Sequence, residues 1–173
     1  MRIQKVLSVL LSIALFFAGL LIIFNLQSIY DWYRLRGYDP PAEITALADA
    51  TTMSPYGEKL FYVNRPALKG KTTFRESCTT NEASIVLGCY VSNRGIYIYD
   101  VEDPRLKGIE EVTAAHEMLH VGYERLSSDE RARVDRLTDQ AFKELDNERI
   151  KQTVEQYRAD DPSVVPNELH SIL

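Results

Sequence analysis

Apolar and polar positions along this chain fall into three regimes. From residue 6 to 24, VLSVLLSIALFFAGLLIIF, nineteen consecutive positions carry no charge. A helix rising 1.5 Å per residue carries such a run over roughly 28 Å, close to the hydrocarbon thickness of a bilayer. Between 42 and 101 the pattern is short and broken. Ala42 to Ala50 has helical spacing. Ser54-Pro55-Tyr56-Gly57 reads as a turn, Lys59 to Val63 as a strand ended by Asn64-Arg65-Pro66, and 67–77 as loop. Ile85 to Val91 and Gly95 to Val101 are rich in β-branched and aromatic residues, with Ser92-Asn93-Arg94 as a hairpin connection. Beyond Asp103-Pro104 the pattern turns helical. Ile109 to Leu126 opens with Glu110 and Glu111, acids that suit a helix N-terminus. Ser127-Ser128-Asp129-Glu130 has a cap signature, and Val134, Leu137, Ala141, Phe142 and Leu145 form the apolar face that follows. Ile150, Val154 and Tyr157 recur at helical spacing, Asp160-Asp161-Pro162 breaks the run, and Pro166 opens a last short helix from Asn167 to Leu173. The expected fold class is α+β: a small β-sheet followed by further helices, preceded by one transmembrane helix.

Charge adds an orientation. Arg2 and Lys5 precede the apolar run, which favours a cytoplasmic N-terminus, and Tyr30, Trp32 and Tyr33 supply aromatic groups where the interface would lie. Arg34 and Arg36 blunt the asymmetry. The rival to a retained anchor is a cleaved signal peptide. Against it, the run is longer than a typical signal core and no small-x-small site follows it cleanly. The expected organisation is a cytoplasmic tip and transmembrane anchor over 1–28, with Gln27 to Tyr38 as a short interfacial helix. A juxtamembrane helical linker over 29–50 leads into one folded domain over 51–173. This describes a single-pass protein of the cell membrane whose folded domain is extracytoplasmic. A formal net charge of −5 leaves no basic excess to neutralise phosphates, so no nucleic-acid partner is expected. Cys78 and Cys89 are too far apart for a CxxC pair. Outside the cytoplasm they read as a disulfide, and otherwise as two buried thiols.

The strongest chemical signal is His116-Glu117-Met118-Leu119-His120, an HExxH pattern. Side chains four apart on a helix lie one above the other, so two imidazoles can hold one Zn²⁺. Glu117 sits about 100° round the helix, where it can act as general base toward a water without being a ligand. The bare pattern recurs by chance in roughly one chain of this length in 200, so its context matters. Thr113, Ala114, Ala115, Met118, Leu119, Val121 and Gly122 are all uncharged, as a buried metal helix requires. The bland alternative is an amphipathic helix with structural histidines. A catalytic zinc takes three protein ligands. Glu168 and His170 in PNELHSIL are the candidates for the third, and they point roughly 200° apart on a helix.

Asn167-Glu168 resembles the Asn-Glu pair that carries the glutamate ligand in thermolysin-like gluzincins. The stretch also resembles the corresponding helix of lethal-factor-type peptidases, with Leu169-His170-Ser171 in place of their apolar-aromatic-small run. The resemblance covers two short motifs and a coarse element order. The gap from His120 to Glu168 is longer than in thermolysin-like enzymes. It implies a zincin-like fold, a zinc site of His116, His120 and Glu168, and hydrolysis of peptide bonds with Glu117 as base. Endopeptidase action on a peptide or protein substrate is expected. Gluzincins usually add a Tyr or His that hydrogen-bonds the oxyanion; Tyr157 and Tyr123 are the candidates, Tyr123 reading better as a packed core residue. Glu124 and Asp161 are candidate partners of a ligand histidine, though solvated surface charge is the plainer reading. An edge strand over Ile96 to Tyr99 could pair with a substrate backbone. The alternative function is a membrane-tethered binding module that holds zinc without catalysis.

Overall fold

The computed structural model describes residues 2–78 and 86–173. They form two compact units, Met1–Asp39 and Pro40–Leu173. The first is a single helix, α1 (Arg2–Leu35), long and apolar enough to cross a membrane. Leu7, Phe16 and Phe24 are among its exposed apolar side chains. No break separates the apolar run from the interfacial segment, because nothing between Asn25 and Leu35 lacks an amide donor or forces φ positive. The helix stops at Gly37, whose φ of +68° glycine adopts at little cost.

The second unit is α+β and mostly helical. In chain order it holds α2 (Ala42–Ala50), α3 (Pro55–Val63), β1 (Ala67–Lys69), α4 (Lys71–Ser77), β2 (Gly88–Val91) and β3 (Gly95–Tyr99). Then come α5 (Ile109–Glu124), α6 (Ser128–Glu144), α7 (Glu148–Asp160) and α8 (Val165–Ile172). The strands form a sheet of order β1-β3-β2, with β1 parallel and β2 antiparallel to β3. Alternation along β3 divides its side chains. Ile96 and Ile98 join Ile44 and Leu47 of α2, Leu60 and Phe61 of α3, and Ala114 and Val121 of α5 in the main core. Tyr97 and Tyr99 face the other way, onto Phe74 of α4 and the cysteine pair. Cys78 and Cys89 stand at disulfide distance, with Cα atoms 5.9 Å apart. A second cluster of Phe142, Val154, Val165 and Leu169 joins α6, α7 and α8. The apolar positions read from the sequence in α6 and α7 contribute Phe142, Leu145, Ile150, Val154 and Tyr157 to it.

Several local expectations change. Lys59 to Val63 is helix, not strand. Ser54 caps it, its hydroxyl accepting from Gly57 N at 3.2 Å, and Pro55 fits the first turn. Gly57, Leu60 and Phe61 bury at i, i+3 and i+4, a helical period that outweighs the strand composition. Residues 67–77 are not loop: β1 is held by its pairing with β3, and α4 buries Phe74. The segment 42–50 is helical, and its Ile44, Leu47 and Ala48 are buried in the core. β2 is shorter than expected, and Ile85 lies outside the described residues. Most consequential for the site, β3 is the central strand, and among the described residues β2 is an edge.

Candidate metal centre

Local structure fixes the register of α5. Asp103 caps a 3-10 turn at Pro104–Leu106, and Gly108 begins the helix at φ +93°. Glu110 Oε1 accepts from Val101 N at 2.7 Å, tying the helix start to the end of β3. Ala114 and Val121, seven apart, then bury against the sheet. That orientation sets His116 and His120 together on another flank, Nε2 to Nε2 3.1 Å, with ring planes at 87°.

The last helix closes the site. Val165 and Leu169 are buried on one side of α8. The other side meets the histidines at three points. Glu168 oxygens lie 3.7 Å from His116 Nε2 and 3.7 Å from His120 Nε2. Asn167 Oδ1 lies 3.0 Å from His120 Nδ1, where it accepts a hydrogen bond from the Nδ1–H tautomer, the form whose Nε2 lone pair can coordinate. The Ser171 backbone takes a hydrogen bond from the His116 ring. Burial, then the neighbouring His120, holds the His116 pKa down to about 4, with the Ser171 bond pulling the other way. His116 is therefore a neutral base at pH 7. Two imidazole nitrogens and a carboxylate converge within 4.8 Å of one another, and this group could hold a metal ion. Converging lone pairs repel unless a cation or proton lies between them. The spacing fits: ligand atoms about 2.1 Å from a tetrahedral ion are about 3.4 Å apart.

His170 is turned away. Its ring sits 5.4 Å from that of Tyr123, and its Nδ1 is buried with no hydrogen-bond partner among the described residues. Tyr123 is largely buried, lines the cavity beside the histidines and donates to Asp135 Oδ1 at 2.7 Å. Tyr157 lies on the wall of the same cavity as the histidines, which has a volume of about 770 Å³. Glu124 does not orient a ligand. It accepts from Ser92 Oγ at 2.7 Å and from the Tyr90 hydroxyl, whose pKa burial and this bond push to about 12. Asp161 instead accepts from Ser163. The partners of the ligand histidines come from α8.

Sequence reasoning missed Gly88. A Cβ there would lie 2.4 Å from Thr113 Cγ2 and 2.8 Å from Glu117 Oε1, so only glycine lets β2 press against α5. Glu117 is 5 % exposed at this contact. Tyr99 N donates to Leu87 O at 2.8 Å. Antiparallel alternation then turns the main-chain groups of Cys89 and Val91 toward β3 and those of Gly88 and Tyr90 outward, on the side of β2 that lines the cavity. A lone glycine inside a short strand was the available signal. No family model, curated protein or solved structure matches the chain.

Proposed function

We infer that the chain is a membrane-anchored zinc peptidase of gluzincin type, with its folded unit outside the cytoplasm. The observation that carries this reading is the convergence of His116, His120 and Glu168 beside buried Glu117. Two imidazoles and one carboxylate are a donor set that zinc accepts readily. Bound there, zinc would supply Lewis acidity toward a carbonyl oxygen and a water. Glu117 takes the proton of the attacking water and returns it to the leaving amine. Asn167 and the Ser171 backbone hold the ligand rings in place. An extended peptide laid along β2 meets the outward main-chain groups of Gly88 and Tyr90, and this favours an endopeptidase. Tyr157, on the cavity wall shared with the histidines, is the hydroxyl assigned to the oxyanion. The zincin-like architecture rests on the motif resemblance.

The test uses the full chain in detergent. Purified protein should carry about one zinc per chain and cleave peptides. Glu117→Gln should keep the zinc and lower turnover about 10²–10⁴-fold, because the amide cannot accept the proton. Near wild-type turnover in that variant rules Glu117 out as base. Zinc-loaded wild type that cleaves no peptide leaves the tethered, inactive module. Placement outside the cytoplasm rests on α1 and the cysteine pair. In protein isolated from cells under alkylating conditions, Cys78 and Cys89 should be linked to each other. Quantitative alkylation of both before reduction contradicts that placement.

A further inference from the structure

The cavity wall carries three carboxylates, Glu117, Glu124 and Glu168, and among the described residues one cationic side chain, Arg131. Arg131 stands in the first turn of α6, half-buried, with its guanidinium carbon 5.0 Å from the centre of the Tyr123 ring. One amino group donates to the Glu124 carbonyl at 3.3 Å, which caps the end of α5. That contact leaves most of the guanidinium fork unused. Arg131 Nε is buried with no hydrogen-bond acceptor among the described residues. The acids that could serve it are engaged elsewhere: Glu124 by Tyr90 and Ser92, Asp135 by Tyr123. A guanidinium packed against an aromatic ring on a cavity wall can meet a planar carboxylate through its two terminal amino groups.

We propose that Arg131 is a specificity-determining residue that receives a carboxylate of the substrate. This rests on the peptidase reading. Glu124 is one helical turn beyond His120, about 6 Å along α5. An extended peptide covers that distance in about two residues. The recognised carboxylate therefore belongs to a position one or two residues from the scissile bond. It comes from an Asp or Glu side chain or from a free C-terminus.

Binding and cleavage of matched peptides separate the possibilities, with the full chain in detergent. One pair differs as Glu against Gln at that position with an amidated C-terminus. A second pair has Gln there and a free or amidated C-terminus. Equilibrium binding by fluorescence anisotropy should favour the carboxylate peptide of one pair about tenfold or more, and kcat/KM should follow. A preference in the first pair identifies a side chain, in the second a terminus. Arg131→Gln should equalise the pair. Arg131→Lys, which keeps the stem and charge without the fork, should retain only part of the preference. Equal binding within both pairs by wild-type protein overturns the proposal, whatever Arg131→Gln does to folding. A preference unchanged in Arg131→Lys and Arg131→Gln also overturns it. Selective binding without hydrolysis of any peptide would sink the peptidase reading and leave carboxylate recognition standing.

Discussion

Two of the apolar clusters of the folded unit, that around the sheet and α5 and that among α6, α7 and α8, differ in how completely they are closed. Around the sheet and α5, Phe61, Ile96, Ile98, Ala114 and Val121 are all 0 % exposed. Among α6, α7 and α8 only Val154 reaches that level; Phe142, Val165 and Leu169 keep 9 %, 8 % and 4 % exposure. The ligands divide across this boundary. His116, Glu117 and His120 ride on the helix that lies in the closed core, while Glu168, Asn167 and Ser171 belong to the looser helical group. The difference separates the two tasks of the site. Helix α5 fixes the geometry of Glu117 and the two imidazoles, and α8 brings the carboxylate of the group that could hold a metal. A metal at the junction would bind the folded arrangement and not the opened one, so it would stabilise the looser side by mass action.

The largest effects should follow from cutting that junction. His116→Ala with His120→Ala should abolish stoichiometric metal binding; retention of one metal per chain in the double variant sinks the site. Glu168→Ala should weaken metal binding by more than the about 10–100-fold that loss of an outer-shell partner costs. Chelation of the wild-type protein should raise amide hydrogen exchange in α8 more than in α5, because α8 has the less complete core behind it. Equal changes in the two helices would remove the distinction drawn between the regions.

A smaller effect tests how tightly the closed side is built. Gly88→Ala places a methyl 2.4 Å from Thr113 Cγ2 and 2.9 Å from Glu117 Cγ. Both neighbours are held on a buried helix face, so the crowding should cost about 1–3 kcal/mol. Metal should be retained while turnover falls, since Glu117 is displaced and the ligands are not. Gly122→Ala is the control: among the described residues nothing lies within 4 Å of that added methyl. There the helix should gain about 0.5–1 kcal/mol. Thermal unfolding of both variants beside metal titration reads the contrast. Similar shifts at positions 88 and 122 would refute the steric argument.

The same division governs what the sequence made legible. Long periodic segments were readable: the apolar helix, α5 with its two histidines, and α6 with the capping box of Ser127 and Glu130. Short elements held by tertiary pairing were not. Three residues of β1 acquire strand geometry only from Tyr97, Ile98 and Tyr99 across the sheet. Placing β3 at the edge failed because parallel pairing with β1 leaves no local trace. The grouping of His116, His120 and Glu168 was readable because HExxH spacing is local and Glu168 sits in a distinctive short motif. Asn167 and the Ser171 backbone as partners of the ligand rings were not, because their role depends on how α8 crosses α5. Arg131 was hidden for the same reason, as one basic residue among several in a strongly charged helix.

His170 provides the finest test, because it is the rival third ligand and the structure turns it away from the pair. Burial and the neighbouring His120 hold its pKa below the usual histidine value, so it contributes a neutral ring against Tyr123. His170→Ala should leave metal affinity within a few-fold and cost on the order of 1 kcal/mol of stability through lost packing. His170→Phe should recover that loss, since it keeps a ring on Tyr123 and removes a buried nitrogen that has no partner among the described residues. Metal titration and thermal unfolding of the two variants, set beside Glu168→Ala, decide the matter. If His170→Ala and His170→Phe lose the metal as severely as Glu168→Ala does, the His116, His120 and Glu168 set is incomplete and His170 belongs among the ligands.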